Sequence, residues 1–95
     1  MTALPADARP RLAAKVRLRF DRKTERHLLL YPERGLVLSP TAVEVVRLCT
    51  GEHTVAAIVD RLAAKYAGAP RARLEDEVRR FLDALADRGL VSAGP

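Results

Sequence analysis

The chain has 95 residues, 48% hydrophobic and 31% charged, which fits one globular domain with a single modest core and excludes a disordered chain. No apolar run approaches the ~20 residues that cross a bilayer, and residues 1–10 hold no apolar stretch that could serve as a secretion signal. A lone Cys49 can form no internal disulfide, so the expectation is a soluble protein of the reducing cytoplasm.

The net charge of +5 is unevenly placed: residues 1–34 carry nine Lys/Arg against four Asp/Glu, whereas residues 35–95 carry eight of each. An acidic partner for the first part is one reading, and a solvated, solubilising surface is the other.

Residues 1–14, with Pro5, Pro10 and several alanines, read as a flexible or loosely attached tail before a domain over 15–92. From Lys15 the side chains alternate, with Val16, Leu18 and Phe20 to one side and Lys15, Arg17 and Arg19 to the other. That period of two predicts a half-buried strand with a basic outer face. The polar residues 21–25 suit a hairpin loop. Residues 26–31 form a second strand in which the run Leu28, Leu29, Leu30 suits burial on both faces. Pro32 ends it, Glu33, Arg34 and Gly35 make a turn, and residues 36–38 form a short third strand.

Ser39-Pro40 reads as a helix start, with serine as the cap and proline at the first helical position. A first helix to about Cys49 aligns Ala42, Val45, Val46 and Cys49, and Gly51 suits the exit. Thr54 caps a second helix to about Tyr66, with Val55, Ile58, Val59 and Leu62 at helical spacing. A third runs from about Arg71 to Arg88, striped by Leu74, Val78, Phe81, Leu82 and Leu85, and closes at Gly89-Leu90. The order β-β-β-α-α-α predicts an α+β fold: a three-stranded antiparallel sheet followed by three helices, winged-helix-like.

No catalytic constellation emerges. Cys49 lies on an apolar helical stripe and reads as a buried small hydrophobe. His27 and His53 lie in different elements without metal-ligand neighbours, and both read as at least half-exposed. Glu75, Asp76 and Glu77 are consecutive on a helix and point apart; near its start they suit the positive end of the dipole. Neither enzymatic activity nor a cofactor or metal is expected.

Several stretches together suggest a family. They are Leu30-Tyr31-Pro32-Glu33-Arg34, then Leu38, Ala42 and Val46, then Leu48-Cys49-Thr50-Gly51, and finally Phe81-Leu82, Leu85 and Gly89-Leu90-Val91. With Arg9-Pro10-Arg11-Leu12-Ala13 and residues 16–21, their order and spacing resemble the PqqD family of pyrroloquinoline quinone (PQQ) biosynthesis over residues 9–91. Thr50 departs from the family pattern, which usually has Asp before the glycine.

The resemblance implies a peptide chaperone of the ribosomal-peptide (RiPP) recognition-element type. Such a protein binds the precursor peptide PqqA and presents it to the radical S-adenosylmethionine enzyme PqqE. It also implies that the peptide adds as a strand beside the third strand, near the third helix. The expected peptide-binding residues are then Arg34, Gly35, Leu36, Val37 and Leu38, flanked by Leu74, Val78 and Leu82, although several of these also suit an ordinary core. Arg17 and Arg19, with Arg22 and Lys23, form a basic patch that could face the enzyme. Two alternatives remain: a winged-helix nucleic-acid binder, disfavoured by the carboxylates on the third helix, and a structural homodimer joined through the open edge. No membrane partner is expected.

Overall fold

In the computed structural model, which describes residues 4–31 and 34–93, the elements follow the order β1 (Arg11–Leu12), β2 (Arg17–Asp21), β3 (Arg26–Tyr31), β4 (Arg34–Leu38), α1 (Pro40–Arg47), α2 (Val55–Lys65), α3 (Arg71–Asp87) and β5 (Val91–Ser92). The sheet β2-β3-β4 is antiparallel, and β1 pairs with β5 in a separate two-stranded ribbon. This is the expected α+β architecture, three strands and then three helices, with the ribbon added.

Register assigns the faces of the sheet. Leu18, Leu29 and Leu36 are directly opposed, as are Phe20, His27 and Leu38, so these residues share a face. Leu29 is fully buried on that face, with Leu18 and Leu36 packed against the core. Arg17, Leu30 and Gly35, and likewise Arg19, Leu28 and Val37, are opposed on the outer face.

Two expectations change here. Phe20 has the predicted parity yet is 51% exposed, tilted against the His27 ring at 5.0 Å, where the hairpin reaches past the core. Leu28 and Leu30, read as covered on both sides, are only half-buried and do not belong to the set packed against the core.

The first hairpin turns at residues 22–25. Asp21 closes it: one carboxylate oxygen accepts from the Lys23 N–H (3.0 Å), the other from the Thr24 hydroxyl (2.9 Å). Arg34 and Gly35, expected in a turn, instead extend β4, paired with Tyr31 and Leu30. The expectations placed on Pro32 and Glu33 lie outside the described residues.

The helix signals act as read. Ser39 Oγ accepts from the Ala42 N–H (3.1 Å), and Thr54 Oγ1 accepts from the Ala57 N–H (3.0 Å). The first helix stops at Arg47, short of Cys49. Gly51, at φ +85°, turns the chain so that its N–H donates to Pro10 O at 3.0 Å. At the end of α3, Gly89 takes φ +71° and donates to Ala86 O, while Leu90 donates to Leu85 O. This is the Schellman pattern, and it folds the buried Leu90 under the helix. Glu75 and Asp76 lie beyond the first turn of α3 and pair one turn on, with Arg79 (3.4 Å) and Arg80 (2.9 Å).

Residues 4–14, read as part of a loose tail, are packed in place. Leu4, Ala8 and Pro10 are buried. The carbonyls of Ala8 and Ala6 accept from the Val55 and Ala56 N–H groups, satisfying two free donors at the start of α2. Leu4 is held at both backbone atoms: its N–H donates to Asp83 Oδ1 (3.0 Å), and its carbonyl accepts from Arg79 Nη1 (3.3 Å). The packed unit therefore begins before the boundary expected at residue 15. Among the described residues, no helix is long and apolar enough to cross a membrane.

Candidate functional site: the β4 edge and the groove beside α3

Among the described residues β4 pairs with β3 alone and forms an edge of the sheet. An antiparallel ladder alternates hydrogen-bonded and non-hydrogen-bonded pairs. Only two residues separate Tyr31 from Arg34, so that opposed pair is the hydrogen-bonded kind, as are Leu29–Leu36 and His27–Leu38. The N–H and C=O groups of Gly35 and Val37 consequently point away from β3, toward the open edge. Two residues thus offer two donors and two acceptors at the spacing an added strand requires.

Beside this edge lie two adjoining depressions that share Phe81. One, of about 310 Å³, is lined by Ser39, Thr41, Ala42, Val45, Glu77, Val78 and Phe81. The other, of about 190 Å³, is lined by Leu36, Phe81, Ala84, Leu85 and Arg88. Residues 77, 81, 84 and 88 follow one another at helical spacing along α3. Leu36 and Phe81, both half-buried, form the apolar walls. Arg88 stands at the Leu36 end and Glu77 at the Ser39 end, so the rim is cationic at one end and anionic at the other.

The residues singled out from the sequence divide into two groups. Arg34, Gly35 and Val37 are exposed and Leu36 is half-buried, so the strand is accessible; Leu38 is buried at its end. On α3, Leu82 is 0% exposed, Val78 1% and Leu74 4%. Val78 lines the first depression with little exposed surface, whereas Leu74 and Leu82 line neither. The more exposed part of the wall is formed one position round the helix, by Phe81 with Glu77, Ala84 and Arg88. Phe81 was visible as part of the apolar stripe, but its half-exposure was not. Arg17 and Arg19 are exposed on the outer face of β2, away from this groove.

A larger depression, of about 660 Å³, lies between the start of β3, the end of β4 and the helices α1 and α2. On its helical side Glu44 lies 2.9 Å from Lys65 and 3.9 Å from Arg47, while Glu25 and Arg26 line the strand side. It reaches the end of β4 at Val37 and Leu38 but does not include Leu36 or Phe81. Cys49 is buried, its thiol 3.2 Å from Val45 O, and burial pushes its pKa up from the ordinary 9.0 to about 12. A neutral, enclosed thiol cannot act as a nucleophile at physiological pH.

The fold and sequence have counterparts among known proteins. The solution structure of the PqqD truncation of Methylobacterium extorquens PqqCD, described as a functional and stand-alone RiPP recognition element, superposes with a TM-score of 0.80 at 37% identity, covering 96% of each chain. This likeness in fold and sequence places the chain among the RiPP recognition elements. The model of the family described as coenzyme PQQ synthesis protein D (PqqD) matches residues 26–91, and the chain belongs to that family.

A "PqqA binding protein" of Rhodopseudomonas palustris strain BisB5 is 42% identical over 85 residues, covering 90% of this chain and 82% of the relative. A bifunctional coenzyme PQQ synthesis protein C/D of Methylorubrum extorquens is 39% identical over 90 residues, covering 95% of this chain and 24% of that longer protein.

Proposed function

We propose that this chain is a non-catalytic peptide chaperone of PQQ biosynthesis, one that binds the precursor peptide PqqA by strand addition to β4 and presents it to the radical S-adenosylmethionine enzyme PqqE. The observation that carries the reading is the edge itself: Gly35 and Val37 direct free backbone groups outward beside an apolar groove walled by Leu36 and Phe81. Backbone pairing supplies affinity for any extended peptide, and the groove and its rim supply selectivity. An apolar peptide side chain belongs over Phe81, and an acidic one belongs at the Arg88 end of the groove. Curated relatives named for PqqA binding support the identity of the peptide. The enclosed thiol of Cys49 favours a role without covalent chemistry at that residue.

Calorimetry of the chain with synthetic PqqA tests this reading. Saturable one-to-one binding is expected, and it should weaken in Phe81→Ala while the variant stays folded. No heat of binding, with or without PqqE, would reject it.

A further inference from the structure

β3 carries three consecutive leucines, a pattern suited to a strand covered on both faces, yet among the described residues the core covers one of them. Leu29 faces the helices and is 0% exposed, whereas Leu28 and Leu30 face outward with Val37, which is 52% exposed. Gly35 lies in the same row as Leu30, and a Cβ on it would meet Leu30 Cδ2 at 3.2 Å. The Leu30 side chain therefore lies over the bare Gly35 backbone, and this row of the face carries an apolar side chain on β3 with none on β4. Around this apolar centre stand Arg17 and Arg19, opposite Leu30 and Leu28.

Among the described residues, the ion pairs are formed by side chains of α1, α2 and α3, and Arg17 and Arg19 take part in none. The acidic residue on this face, Asp21, is held by the turn through Lys23 and Thr24. Apolar contact at the centre with uncompensated positive charge at the rim fits a protein surface of the opposite pattern, apolar within and acidic around.

Resting on the chaperone reading above, we propose that the outer face of the sheet is a second docking face, separate from the peptide groove, on which the enzyme that receives the peptide places an acidic-rimmed apolar surface. The two sites use different groups of one sheet: the peptide takes the backbone edge of β4, and the enzyme takes the outer-face side chains of β2 and β3 together with that of Val37. Both partners can then be bound at once, as presentation requires. A second copy of this chain fits less well, because a face-to-face pair would bring arginines against arginines.

The test measures binding of PqqE and of PqqA separately, using wild-type chain, the double variant Arg17→Glu/Arg19→Glu, and Leu28→Ser. Thermal melts verify that each variant is folded. Both variants should weaken PqqE binding by roughly tenfold or more, while PqqA affinity stays within about twofold of wild type. Wild-type binding of PqqE should also fall as salt rises.

PqqE binding unchanged in the folded variants would overturn the proposal and leave the chaperone reading standing. Equal loss of PqqA binding would overturn it by assigning the face to the peptide. Loss of self-association in the double variant, by sedimentation, would assign the face to a second copy instead. Failure of wild-type chain to bind PqqE, while it still binds PqqA, would remove both the presentation step and this face's role in it.

Discussion

Replacing Val37 by proline separates strand addition from folding. The Val37 N–H points away from β3, so proline there removes no bond of the β3–β4 ladder, and a sheet edge is where proline is tolerated. Backbone adjustment and loss of a half-exposed side chain should cost about 1 kcal/mol, typical of a point substitution. That lowers the melting temperature by roughly 4–8 °C for a domain of this size. Peptide binding should suffer far more. An added strand loses one of the four hydrogen bonds that Gly35 and Val37 offer, at about 0.5–1.5 kcal/mol, and its orphaned carbonyl costs a further ~1–3 kcal/mol. The sum, of order 2–4 kcal/mol, is roughly a 30- to 1,000-fold loss of affinity. Calorimetry with PqqA, beside a thermal melt, reads both quantities. Leu36→Pro is the contrast, because its N–H belongs to the ladder and its side chain packs against the core; it should unfold the sheet. A folded Val37→Pro variant that binds PqqA like wild type would refute strand addition at β4.

Other outcomes follow from the same geometry. Phe81→Ala should weaken PqqA binding by roughly tenfold at modest cost in stability, whereas Leu82→Ala, at a site 0% exposed, should cost about 2–5 kcal/mol in denaturant unfolding and leave the affinity of the folded fraction nearly unchanged. Asp83→Ala removes the acceptor of the Leu4 N–H; faster amide exchange and proteolysis at residues 4–10 should report release of that segment. The Cys49 thiol, raised from 9.0 to about 12 in the folded chain, ionises first in the unfolded state. Its contribution is complete below pH 9 and is lost as pH climbs toward about 12, so wild type should lose stability over that window more steeply than Cys49→Ala, by up to about 1.4 kcal/mol per pH unit.

Legibility in the sequence followed whatever side chains alone decide. Caps at Ser39 and Thr54, the glycine stop at Gly89 and the alternation of Arg17, Leu18 and Arg19 each express a local preference, and each appears in the fold. Where the deciding groups are backbone atoms or distant elements, pattern was silent. Residues 4–14 have no periodicity because carbonyls hold them to the start of α2 and to the Gly51 turn, and any residue supplies a carbonyl. Phe20 shares the parity of Leu18, but whether anything covers that end of the hairpin is a property of the helices. The same limit applies to α3. A stripe containing Val78, Phe81, Leu82 and Leu85 does not say which members lie under the groove and which wall it, because neighbouring positions differ by one step of rotation. The triple leucine of β3 called for two covered faces, and the described residues provide one.

An amide-shift titration of isotope-labelled chain with PqqA tests the central claim most directly. The largest changes should fall on residues 34–38, at Gly35 and Val37 above all, with a second set at Phe81 and Ala84 on the facing side of α3 and at its capping residue Arg88. Shifts that spare residues 34–38 while binding saturates, or that gather on β2 instead, would contradict it.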